Sequence, residues 1–92
     1  MKTVTKHLFI SGHVQGVGFR YSLFYAAKNC GVNGWVRNRR DGAVEAMAQG
    51  PAENVESFIA WAKKGPELSR VDEVVVSEGS GDYSEFSIRD TI

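Results

Sequence analysis

The sequence predicts an α+β fold: an antiparallel sheet with two helices on one face. Two segments carry apolar residues at helical spacing, and the segments around them carry the short alternating or β-branched runs of strands. Glycine and proline fall between the segments rather than within them. The resulting order is β-α-β-β-α-β plus a short final strand.

The first strand is Leu8-Phe9-Ile10, ending at Ser11-Gly12. After the loop Gly12-His13-Val14-Gln15-Gly16-Val17-Gly18, apolar side chains recur at Phe19, Leu23, Ala26 and Cys30, one face of a helix that Gly31 can cap. Trp35 to Asn38 and Ala43 to Ala48 form a hairpin across Arg39-Arg40-Asp41-Gly42, where Asp-Gly suits a turn with positive φ at both residues. Val44, Ala46 and Ala48 alternate with Glu45, Met47 and Gln49, which predicts one buried face and one outer face. Gly50-Pro51 opens the second helix, with Val55, Phe58, Ile59 and Ala62 inward, and Gly65-Pro66 ends it. Val71 to Ser77 is a β-branched strand, and Gly79-Ser80-Gly81-Asp82 turns into Phe86-Ser87-Ile88, with Phe86 and Ile88 inward. This is the split βαβ, ferredoxin-like pattern, which by itself carries many unrelated activities.

A chain of 92 residues is expected to form one domain, residues 1–92, burying roughly 60–65% of its unfolded surface. Eleven basic residues balance eleven acidic ones, so no overall field attracts nucleic acid or an anionic membrane, and anion binding has to come from a local site. The single cysteine, Cys30, forms no internal disulfide and fits a reducing compartment. Met1 to His7 lacks the apolar run of a signal peptide, and no stretch approaches the ~20 apolar residues of a membrane span. A cytoplasmic monomer is the expectation.

The candidate chemistry lies in Gly12 to Arg20. Backbone N–H groups at a helix start lack helical partners and sit at the positive end of the dipole. A glycine loop can aim such groups at one anion, and Arg20 adds a planar fork suited to phosphate oxygens. The loop is neither a Walker A sequence nor a G-x-G-x-x-G fingerprint. Spacing alone leaves two readings open, an anion cradle or a glycine-rich connection beside a solvated arginine.

Two longer patterns go further. Ile10 to Arg20, ISGHVQGVGFR, resembles the first acylphosphatase signature, which centres on G-x-V-Q-G-V-x-F-R. Gly34-Trp35-Val36-Arg37-Asn38 with Gly42, Val44 and Gly50 resembles the second. The resemblance covers nearly the whole chain. It implies a metal- and cofactor-free hydrolase that splits acyl phosphates into carboxylate and inorganic phosphate, with carbamoyl phosphate a further candidate substrate. It assigns phosphate binding to Arg20 and to the backbone N–H groups of Gln15, Gly16, Val17, Gly18, Phe19 and Arg20, and orientation of the attacking water to Asn38. No part of that mechanism draws on Arg89 to Ile92.

Other residues have plainer readings. His7 and His13 lack metal-ligand spacing and read as surface histidines, and Cys30 reads as a small core residue. Asp41 serves the turn, Arg37, Arg39 and Arg40 form a solvated basic cluster, and Trp35 and Trp61 pack. Asp72, Glu73 and Glu85 are surface charges. The competing class is a non-catalytic anion or small-molecule binding module. RNA binding would need exposed RNP-type aromatics and copper transfer a Cys-x-x-Cys, and neither is present. A further rival is a domain of a larger protein that handles carbamoyl phosphate, against which the free-standing length argues.

Overall fold

A computed structural model describes residues 2–92. Met1, the first residue of the N-terminal segment and of the span 1–92 read above, lies outside the described residues. The elements run β1 (Thr3–His13), α1 (Phe19–Cys30), β2 (Asn33–Asn38), β3 (Val44–Pro51), α2 (Ala52–Lys64), β4 (Arg70–Glu78) and β5 (Phe86–Ile88). They form one five-stranded sheet in the order β4-β1-β3-β2-β5.

The expected element order is observed, with one correction to the sheet. β5 pairs with β2 in parallel, Gly34 opposite Phe86, so the sheet is mixed. The other three pairings are antiparallel. β1 is longer than its apolar run because Thr3 to His7 pair with β3 through backbone groups, from Thr3 opposite Pro51 onward. The apolar run marks where β1 carries its fully buried side chains, Leu8 and Ile10, while Val4 adds a partly buried contact with the same core.

That face holds the core. Leu8, Ile10, Val36, Val44, Ala46 and Ala48 of the sheet meet Phe19, Leu23 and Ala27 of α1 and Val55, Phe58 and Ala62 of α2. Each set repeats at the period of its element, two in strands and three or four in helices. In α1 the buried stripe passes through Ala27, while Cys30 at the last turn is only half-buried. Phe19 and Trp61 join the two helices in an edge-to-face contact, ring centres 6.3 Å apart.

The opposite face of the sheet departs from the expected solvent-facing pattern. Glu45 is only 7% exposed. Its carboxylate accepts hydrogen bonds from His7 Nε2 at 2.6 Å and Arg37 Nε at 2.8 Å, and Arg39 Nη1 lies at 3.4 Å. The Arg37 guanidinium also lies 4.7 Å from the centre of the Trp35 ring, and that of Arg39 lies 5.0 Å from Phe9. His7, Arg37 and Arg39 are therefore built into the sheet surface, not loosely solvated. A buried carboxylate persists here because the His7 ring and the guanidinium groups of Arg37 and Arg39 are hydrogen-bonded to it.

Candidate active site

β1 ends at His13, and the chain reverses into α1 between two buried anchors, Val14 and Phe19. Gly16 and Gly18 lie between them in left-handed conformations, φ 75° and 76°. A Cβ at either would meet nothing within 4 Å, so conformation rather than crowding demands glycine, and the space above both is open. Gly18 is the N-cap of α1 and offers no side-chain cap. The first turn holds no acidic residue. Most helices neutralise this end with a Ser, Thr or Asp cap or with acidic side chains. Here the dipole end and its free N–H groups are left to whatever occupies the cavity in front.

Asn38 ends β2, and strand alternation puts it on the same side as Val36, facing α1. Arg37 points the other way, to Glu45. The turn that follows differs from the expected one. Gly42 N–H donates to the Arg39 carbonyl at 3.1 Å and Arg39 N–H to the Ala43 carbonyl at 2.8 Å. Gly42 has φ 95°, whereas Asp41 has no positive φ. This is a three-residue loop closed by one left-handed glycine, and Asp41 acts through its carboxylate, which accepts from Ala43 N–H and Arg39 Nε. Those two donors, the Ala43 N–H foremost, hold the Asp41 carboxyl below its ordinary range.

One cavity of about 150 Å³ is lined by Val14, Gln15, Gly16, Gly18, Phe19, Arg20, Tyr21 and Asn38. The fold thus gathers the two polar side chains singled out in the sequence, Arg20 of α1 and Asn38 at the end of β2, around the glycine loop. Val17 does not line the cavity, since its side chain packs against the core. Among the described residues Arg20 has no ion-pair partner, although six ion pairs form elsewhere. Nor does the Asn38 carboxamide bond to any other described side chain or backbone group. Both therefore keep their hydrogen-bonding capacity for a ligand. A larger cavity, about 550 Å³, lies along Arg37 and residues 88–92, away from the loop. It contains neither the glycines nor Asn38, so its size does not make it the site of phosphate chemistry.

The last residues support this site from behind, which the sequence did not suggest. Ile92 N–H donates to the Asn38 carbonyl at 3.1 Å, and Arg40 N–H donates to the Ile92 carbonyl at 2.8 Å. Arg89 N–H donates to the Val36 carbonyl at 2.8 Å, so residues 89–92 continue the edge of β2 as far as the hairpin.

The family model for acylphosphatase matches residues 6–88, which includes every element that lines the cavity. The chain belongs to the acylphosphatase family. An acylphosphatase of Thiobacillus denitrificans is 54% identical over 89 residues, covering 97% of this chain and 98% of that one. The crystal structure of acylphosphatase from Bacillus subtilis superposes with a TM-score of 0.89 at 38% identity, covering 94% of this chain and 98% of that one. A structure of full-length HypF in a phosphate- and nucleotide-bound form matches with a TM-score of 0.90 at 31% identity, covering 98% of this chain but 12% of that one. The protein is thus an acylphosphatase, an enzyme that acts on acyl phosphates and releases phosphate. The non-catalytic binding module gives way to this assignment. No helix among the described residues is long and apolar enough to cross a membrane.

Proposed function

We propose that acyl phosphate hydrolysis takes place in the Arg20–Asn38 cavity. The observation that carries this reading is the pairing of two uncommitted polar side chains, one cationic and one neutral, across a glycine loop at an uncapped helix start. Arg20 and the backbone N–H groups of Gln15 to Arg20 hold the phosphate. The Asn38 carboxamide accepts a hydrogen bond from the attacking water and aligns it with the breaking bond.

These few groups suffice because of the leaving group. An acyl phosphate is a mixed anhydride, and its carboxylate departs unprotonated because carboxylic acids have pKa values of about 4. The water oxygen bonds to phosphorus, the phosphorus–oxygen bond to the acyl group breaks, and its electron pair leaves on the carboxylate. The transition state is loose, with charge spread over the equatorial oxygens, so positioning and directed donors supply the catalysis. Asn38 is no base, so the water's proton passes to a phosphate oxygen. The reaction then requires neither a metal nor another cofactor.

A cavity of about 150 Å³ encloses a phosphate and little more. The acyl group therefore projects outward and is weakly selected, which makes carbamoyl phosphate a substrate on the same terms. Residues 1–92 act as one domain. The charged edge strand β4, with Arg70, Asp72, Glu73 and Glu78, discourages edge pairing and supports a monomer. Zero formal charge and a single free cysteine support a cytoplasmic protein with no nucleic-acid or membrane partner.

Benzoyl phosphate hydrolysis in EDTA, with a stable phosphate monoester as control, tests the chemistry. Only the anhydride should turn over. Asn38→Ala should lower kcat by about 100-fold while inhibition by inorganic phosphate stays close to wild type. Near-normal kcat in that variant would remove the role assigned to Asn38, and dependence on added metal would remove the metal-free mechanism.

A further inference from the structure

The Gln15 side chain does not face the phosphate cradle that its backbone helps to form. Its Nε2 donates to two carbonyl oxygens of the opposite wall, Arg39 at 2.6 Å and Ala43 at 2.9 Å. Those two residues close the hairpin, and Arg39 directly follows Asn38. Two carbonyl acceptors fix the amide orientation, since the flipped group would set its oxygen against both. Among the described residues, no other hydrogen bond joins residues 14–18 to the hairpin.

We infer that the Gln15 side chain is a positioning residue that sets the distance between the phosphate cradle and Asn38. The inference rests on the water-orienting role proposed for Asn38. Its physical basis is the spread of the site over two walls. The phosphate is held by groups of one wall, all within residues 15–20, whereas the water is held by the other. The angle of attack therefore depends on how the walls are joined. Remove the two donors and each wall can keep its own shape while the spacing between them relaxes. Phosphate binding survives and in-line alignment is lost. In-line displacement tolerates little misplacement, about an ångström being enough to cost ~100-fold.

Gln15→Met keeps the length of the side chain and removes both donors. With benzoyl phosphate, kcat should fall by roughly tenfold or more, with inhibition by inorganic phosphate within about twofold of wild type. Gln15→Glu, which sets acceptors against both carbonyls, should fall further, and it supplies the same reading if Gln15→Met does not fold. The decisive comparison adds Gln15→Met to Asn38→Ala. If Gln15 acts through Asn38, the second substitution changes kcat no further, whereas independent effects would multiply. Wild-type kcat in both Gln15 variants, multiplicative losses, or phosphate affinity falling in step with kcat would each overturn the inference. The single Asn38→Ala variant separates the two failures. If it keeps its turnover, the role of Asn38 is wrong. If it loses turnover while Gln15→Met keeps it, only the tether is wrong.

Discussion

On one wall of the cavity, consecutive residues from Gln15 to Arg20 bend around two left-handed glycines and run into a helix start that nothing caps. On the other wall a single side chain, Asn38, is presented by a hairpin whose backbone is held by Gln15, Ala43 and Ile92. The first wall is local: its shape follows from its own φ values and from the anchors Val14 and Phe19. The second is assembled from distant parts of the chain. Binding charge needs many donors converging on a point, which one loop can supply. Aligning a water needs one acceptor at a fixed distance from that loop, which only tertiary structure can supply.

The largest expected effect comes from the local wall. Arg20 is the one side-chain cation that lines the cavity. Arg20→Ala should therefore weaken inorganic phosphate as an inhibitor and also lower kcat, with kcat/KM down by on the order of 10³. Arg20→Lys should recover only part of this, because a point charge cannot match the two-pronged fork. A loss confined to KM would mean that Arg20 binds ground and transition states equally, and the contrast between the walls would shrink to one of affinity.

A smaller effect should follow from loosening the second wall. Ending the chain at Arg89 deletes the Ile92 bonds to Asn38 and Arg40. The deletion should lower kcat by about three- to tenfold and leave phosphate inhibition unchanged, the pattern expected when a spacing rather than a ligand is lost. Stopped-flow or steady-state hydrolysis of benzoyl phosphate measures both. Full activity after the deletion would show that the hairpin and Gln15 hold Asn38 unaided.

This contrast also explains what the sequence disclosed. Ile10 to Arg20 could be read directly, because the glycines, the helix start and Arg20 lie within one short stretch. Asn38 could be placed because the hairpin fixes its strand, and Glu45 lay within reach of the same reasoning, since that hairpin sets it opposite Arg37. Two charges in register across a hairpin point to a pair rather than to free surface. The Gln15 tether was hidden, because its acceptors are backbone carbonyls 24 and 28 residues further on, which no side-chain pattern marks. The parallel direction of β5 was hidden as well, since it depends on the route taken by residues 79–85. Residues 89–92 reach Val36, Asn38 and Arg40 through backbone groups, which composition does not mark, and their one cation–π contact, the Arg89 guanidinium 5.0 Å from the centre of the Trp35 ring, depends on that backbone course.

The smallest effect on turnover is expected on the outer face behind Asn38. Burial alone would favour the neutral form of Glu45. The hydrogen bonds from His7 and Arg37, together with the Arg37 charge, outweigh it and hold the carboxyl below its ordinary value of 4.5. As pH falls below that value, the unfolded chain takes up a proton that the folded chain still refuses. The stabilisation is therefore complete above about pH 5 and fades as pH drops through the folded-state pKa. Glu45→Gln removes the carboxylate while leaving its cations in place, which should cost about 1–3 kcal/mol near neutrality. The variant should also lose part of the acid-induced fall in stability seen in wild type. Denaturant unfolding from pH 7 to pH 3 measures both, and parallel curves would rule out Glu45 as the source. At neutral pH the folded variant should keep kcat within about threefold of wild type, because Glu45 braces the back of the hairpin and not the Asn38 carboxamide. A larger loss in a fully folded sample would extend the alignment of Asn38 from the tether to the ion cluster on the far side of the sheet.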